Sequence, residues 1–227
     1  IGDTRALFKA GRCGLLVEWG DPGPLQLDDD ATAIKGKLYA ISGLGSREVL
    51  DRSTGKLVPV TKANAPHSID GINYAPFAAF GGWAGAVNKG ADQKTKDAAY
   101  AFLSYMNQSA QSSVDVTIGA TGYNPYRLSQ LSSPDLFVKA GMPKALAENY
   151  IGAINGALNS LNMASDMKIP GAQKYTSVVL DTELARYLAG EISVDEALEN
   201  IEEGWEEVTE DFGRDEQIAA QALALGS

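Results

Sequence analysis

Protein chemistry needs reactive groups that can meet, and this sequence supplies few. Its one histidine, His67, stands between Pro66 and Ser68 with no cysteine or aspartate at ligand spacing. Its one cysteine, Cys13, lies in an apolar run with no histidine near it in sequence. Neither pattern suits a nucleophile–base pair or a metal ligand set, each of which needs two or more such side chains. Asp28, Asp29 and Asp30 raise the question of a calcium loop. That loop needs ligands at alternating positions with a glycine and a closing glutamate, and Ala31, Ala33 and Ile34 break the pattern. A solvated turn is expected there instead. The sequence has no nucleotide-type glycine loop and no Gly-x-Ser-x-Gly elbow. No metal, no cofactor and no catalysis are therefore expected. A glycosidase-like pair of carboxylates is a third reading, although no carboxylate is singled out by apolar surroundings.

What the sequence does offer is ring faces next to polar groups. The run Cys13-Gly-Leu-Leu-Val17 reads as a buried strand that delivers an acid, Glu18, and an indole, Trp19, to its end, before a turn at Asp21-Pro-Gly-Pro24. Gly81 and Gly82 let the backbone turn or approach another group closely, Trp83 adds a second indole, and Ala84 to Val87 reads as a short buried strand. A third loop, Gly122-Tyr-Asn-Pro-Tyr-Arg127, can present the ring of Tyr123, the amide of Asn124 and the forked donor of Arg127 to one solute, or can equally be a proline turn with surface aromatics. Such groups bind; they do not by themselves make or break bonds.

Composition narrows the partners. The 227 residues carry 29 acidic and 19 basic side chains, a net charge of -10, which disfavours nucleic acid and anionic membrane surfaces. A single cysteine rules out an internal disulfide, no apolar run approaches bilayer length, and no secretory leader is read.

The elements that must position these loops follow from period and punctuation. Residues 4 to 10 read as a short helical turn, Gly36 to Leu44 as a strand, and 45 to 79 as a long irregular insertion with short strands at Lys56 to Val60 and Gly71 to Tyr74. Ala98, Ala99, Phe102, Leu103 and Met106 predict an amphipathic helix over 92 to 110, and Ser113 to Ile118 alternates like a strand. A short helix is expected near Ser133-Pro134. Pro143 to Asn162 reads as a longer helix in which Gly152 and Gly156 suggest close approach to another element. Helices are expected at 174 to 189, closed by Gly190, after a capping box at Ser193 and Glu196, and at Asp215 to Leu225. The glutamates between 199 and 210 read as a solvated face, and Trp205 as core.

In order and spacing, Phe8 to Trp19, Gly81 to Lys89, the helix Lys94 to Met106, Gly122 to Arg127, and Leu188 to Leu198 followed by Trp205 resemble the C-terminal portion of the family 1 extracellular solute-binding proteins. These are sugar-type binding components of ABC importers, related to maltose-binding proteins. The resemblance implies a helix-rich α/β, periplasmic binding protein-like (type II) fold, incomplete without an N-terminal half. Its lobes would close on a carbohydrate or similar polar solute. It implies a division into 1–80, part of a C-terminal-lobe-like region with the 45–79 insertion; 81–130, a strand-helix-strand contribution to the other lobe; and 131–227, a helical region packing on the C-terminal lobe. The ligand-binding residues it implies are Trp19, Gly81, Gly82, Trp83, Tyr123, Asn124 and Arg127, with Glu18 as an extra acceptor. The implied partners are the solute, the N-terminal half and a membrane permease or receptor, and the implied location is periplasmic or extracellular. The alternative is a helical interaction or sensor domain of the same ancestry that has lost its ligand and contacts another protein through the acidic helices and the 45–79 insertion.

Overall fold

The computed structural model describes residues 2–28, 33–75, 77–79, 84–165 and 167–226. The chain is helix-rich with small sheets and divides into two units, one built from Ile1–Phe77 and Gly81–Met163, the other from Ala78–Phe80 and Ala164–Ser227.

The first unit opens with α1 (Gly2–Lys9), ended by Gly11 at a positive φ of 71°. Residues 13 to 19 form no strand and join no ladder among the described residues, and the expected burial fails as well: Leu15 is 70% and Val17 86% exposed. Gly36 and Lys37 lie in a turn, and 38 to 44 join no ladder among the described residues. The middle of this stretch is held by a side chain instead: Asn149 donates from Nδ2 to the Ala40 carbonyl at 2.9 Å and accepts from the Ala40 N–H at 2.7 Å. One amide thus supplies both hydrogen bonds that a neighbouring strand would have made.

The 45–79 stretch is more ordered than its composition suggests. Strands β1 (Gly45–Ser46) and β4 (Asn73–Tyr74) pair, and between them β2 (Glu48–Asp51) and β3 (Lys56–Pro59) form an antiparallel hairpin with Val49 opposite Val58. Asp51 makes its turn by accepting from both the N–H and the hydroxyl of Ser53, and Gly55 closes it at φ 66°. The remaining sheet pairs β5 (Phe77–Ala79) with β6 (Met163–Ser165).

Ala84 to Val87 is exposed and outside any strand, contrary to expectation; Gly85 approaches the Leu103 side chain so closely that a Cβ there would collide with it. Helix α2 (Gln93–Met106) begins where the sequence says it should, with Asp92 accepting from the Thr95 N–H at 3.0 Å. Next comes a correction. Ser113 to Ile118 is not a strand: α3 (Ser109–Asp115) runs through its first half. The buried positions there are Ser112, Asp115 and Val116, which is helical spacing, while Val114 points outward. The apolar alternation misled because two of the inward residues are polar.

Short helices α4 (Leu128–Leu131) and α5 (Asp135–Lys139) precede α6 (Lys144–Leu158). The core of the unit is Val116, Phe137, Met142, Ala147, Tyr150 and Ile151, with Phe137 meeting Tyr150 edge-on at 5.1 Å between ring centroids. Of the two glycines in α6, Gly156 admits Ser42 to close contact, whereas Gly152 faces open space.

The second unit is helical apart from its strand residues. A π-helical stretch (Lys174–Leu180) runs directly into α7 (Asp181–Leu188), followed by α8 (Val194–Phe212) and α9 (Arg214–Leu225). Ser193 and Glu196 form the expected capping box, and Gly190 ends α7 at φ 75°. Tyr175 is the buried anchor: its hydroxyl bonds Thr209 and Gln217, and its carbonyl accepts from Trp205 Nε1 at 2.9 Å. No described helix is long and apolar enough to cross a membrane.

Candidate functional site

In the first unit the fold brings together two of the three loops. After Trp19 the chain tightens at Gly20 and enters a 3-10 turn (Gly23–Leu27) whose residues Gly23 to Gln26 are buried. The second loop, reached from α3 through a 3-10 turn at Gly119–Thr121, leaves it at Gly122 with φ 70°. Gly119 packs on the backbone of Leu25, and a Cβ on Gly20 would lie 2.8 Å from Asn124 Oδ1. The contact at Gly119 needs glycine, because the atoms a Cβ would meet are backbone.

The platform beneath the first loop is ionic. Asp21, only 1% exposed, lies 2.6 Å from Arg5 Nη1, and Arg5 Nε also donates to Glu18 Oε2 at 3.3 Å. The Arg5–Asp21 contact is an ion pair by distance, although the N–H is not aligned as a hydrogen bond, so Asp21 Oδ2 is compensated in charge only. Asp21 Oδ1 and the hydroxyl of Tyr150 have no hydrogen-bond partner among the described residues. Burial, helped by the charge of Asp21, holds the Tyr150 phenol protonated far above its ordinary range. Burial also works against the charges of Arg5 and Glu18, but their mutual hydrogen bond and attraction outweigh it, with Asp21 adding to Arg5 and the Trp19 N–H adding to Glu18. The guanidinium pKa is raised and the Glu18 carboxyl is lowered.

Glu18 is therefore a brace. Its Oε1 accepts from the Trp19 N–H at 3.1 Å, which fixes the backbone carrying the indole. Because the folded state holds this proton less tightly than the unfolded chain, its contribution to stability is present above the ordinary value of 4.5 and is lost as the pH falls through the depressed one. Urea midpoints measured between pH 6 and about 3 should fall more steeply for the wild type than for Glu18→Gln; parallel profiles would remove this role.

The structure distributes the sequence-identified residues unevenly. Glu18, Trp19 and Asn124 share one neighbourhood; Trp19 is 43% exposed, and Asn124 is exposed. Tyr123 turns inward against the Phe137–Tyr150 core. Arg127 reaches the other way, donating from Nε to Ser112 Oγ at 3.0 Å and from Nη2 to the Asn107 carbonyl, and stacks on Tyr126. It ties the loop to the α2–α3 junction. Gly81, Gly82 and Trp83 lie outside the described residues. Arg5, Asp21 and Tyr150 were missed by sequence reasoning. An aspartate before Pro-Gly-Pro reads as a turn former, and nothing local announces that its carboxylate is buried against a distant arginine.

A cavity of about 400 Å³ opens beside this platform, lined by Arg5, Lys9, Leu25 and Gly119 among others. Lys9 pairs with Asp28 at 3.1 Å, so both cations of the wall are compensated. The neighbourhood thus offers a ring face, an amide and fixed charges, with no nucleophile beside a base. Among the described residues no group of three or more histidines, cysteines, aspartates or glutamates converges to hold a metal ion. Compared with protein-family models, with curated proteins and with solved structures, the chain gives no match.

Proposed function

We propose that this chain binds a small polar solute, a carbohydrate by class, without chemical change, through the paired loops around Trp19 and Asn124. The supporting observation is the braced backbone at Trp19: Glu18 accepts from the Trp19 main-chain N–H, Arg5 pairs with both Glu18 and Asp21, and the Asn124 amide stands at Gly20. A sugar has apolar faces that stack on an indole and hydroxyls that need both donors and acceptors, which an amide supplies together. On the resemblance to family 1 extracellular solute-binding proteins, the fold is of the periplasmic binding type II, and the chain serves ABC-type uptake or ligand sensing outside the cytoplasm.

A thermal-shift screen with mono- and oligosaccharides tests this. A ligand at about 100 times its Kd adds roughly 2.7 kcal/mol to the bound unit, and at this size that raises the Tm by about 5 °C or more. The gain should vanish in Trp19→Ala. A panel in which no saccharide moves the Tm would count against the proposal.

A further inference from the structure

The turn at Asp70–Gly71 holds the groups for a reaction of the backbone with its own side chain. Asp-Gly occurs once in the sequence, and here the two residues are the whole loop of a hairpin. Ile69 and Ile72 face each other across it and exchange both main-chain hydrogen bonds, at 3.0 and 2.9 Å. Asp70 at φ 51° and Gly71 at φ 71° both take the positive values that such a loop requires, and Asp70 is the only non-glycine residue to do so among the described residues. The bonds that hold the turn leave the reacting groups free. Both are made by the isoleucines, and neither the Gly71 N–H nor the Asp70 carboxylate has a partner among the described residues. Both residues are exposed. Gly71 has no side chain to shield its nitrogen, and only the end of the flexible Arg47 side chain comes near, 3.8 Å from where a Cβ would stand.

By chemistry alone another pair should react first. A side-chain amide cyclises onto the next peptide nitrogen more readily than a carboxyl does, and Asn155–Gly156 is the single Asn-Gly pair of the chain. That pair lies inside α6, where the Gly156 N–H is committed to the helix ladder, Asn155 Nδ2 donates to the Leu131 carbonyl at 3.0 Å, and Ser42 packs on Gly156. The fold thus silences the more reactive pair and leaves the less reactive one open.

We propose that Asp70 is a modification site at which the folded chain converts spontaneously to isoaspartate. The Gly71 nitrogen attacks Cγ of Asp70 and an N–Cγ bond forms; the N–H proton and the carboxyl OH leave as water, and a five-membered succinimide results. Water then adds back. Addition at Cγ breaks the new bond and restores aspartate. Addition at the main-chain carbonyl carbon of Asp70 breaks the original peptide C–N bond and leaves the chain running through Cβ and Cγ. No oxidant or cofactor is needed, and the product has the mass of the starting chain. It carries one extra methylene in the backbone of a two-residue loop, so the pairing of Ile69 with Ile72 is lost.

The test ages the full chain for several weeks in warm, mildly acidic buffer, folded and in parallel unfolded in guanidinium chloride. Peptide mapping with electron-transfer fragmentation tells isoaspartate from aspartate at each position, and methyl transfer by an isoaspartyl methyltransferase counts the total. In the folded chain isoaspartate should accumulate at Asp70 within tenfold of its rate in the unfolded chain, whereas Asn155 should change at least a hundredfold more slowly than when unfolded. Asp70→Gly, which takes a positive φ without strain, should remove most of the methyl acceptance of the folded chain. Asp70→Asn should raise it at least tenfold, with release of ammonia, and keeps the test decisive if the glycine variant is misfolded. Protection of Asp70 by more than tenfold on folding, modification of Asn155 ahead of Asp70 in the folded chain, or methyl acceptance unchanged in either folded variant would overturn the proposal.

Discussion

Replacing Arg5 with methionine should destabilise the first unit by about 3–5 kcal/mol, the range for removing one partner of a buried ion pair. Methionine keeps the apolar stem, so the loss isolates the guanidinium. Without it the carboxylate of Asp21, 1% exposed and with Oδ1 already unpartnered, has no compensating charge, and Glu18 loses its longer-range partner. Arg5→Lys should fall between, because one ammonium cannot reproduce the fork that spans Glu18 and Asp21. Adding Asp21→Asn to Arg5→Met should recover part of the loss, since an amide costs less to bury than an unpaired charge. Urea denaturation of the four proteins measures this. A loss under about 1 kcal/mol for Arg5→Met would mean that the pair behaves like a surface salt bridge and that the platform under Trp19 is not held by charge.

Gly23→Ala is the second large effect, expected to cost about 3 kcal/mol, the upper end for overpacking a filled core. A Cβ there would collide with the ring of Tyr150, and that ring cannot step aside because it is buried edge-on against Phe137. Tyr150→Phe, which leaves the ring in place, should give no relief, whereas Tyr150→Leu should be less harmful in the Gly23→Ala background than in the wild type. The sign of that coupling distinguishes a steric collision from loss of the Tyr150 hydroxyl. Additive losses would place the cost of Gly23→Ala in the backbone instead.

The parts of this molecule legible in its sequence are those set by interactions within one helical turn. Asp92 with Thr95, and Ser193 with Glu196, are caps whose partners lie three residues away, and the helices they start begin where expected, although α2 ends at Met106 and not at the expected 110. Helix α6 was legible through its apolar spacing, although only one of its two glycines meets another element. The helix at 174–189 was also found, but not its π-helical first half, in which Tyr175 and Val179 meet α8. Ser112 and Asp115 point inward because Arg127, Gln130 and Gln111 meet them there, so the hydrophobic pattern of that segment reported the wrong face. The site divides the same way. Trp19 and Asn124 were readable as ring and amide on loops, whereas Arg5, Asp21 and Tyr150 come together only in three dimensions. Arg127 was readable as a donor, but its target is the α2–α3 junction.

The most direct measurement is a calorimetric titration, with the saccharide that gives the largest thermal shift, of the wild type and of Trp19→Ala. The loop pair predicts saturable binding to the wild type, and at least tenfold weaker binding to Trp19→Ala with the variant shown to be folded by far-ultraviolet circular dichroism. Equal affinity in the two proteins, or no saccharide binding to the folded wild type, would contradict it.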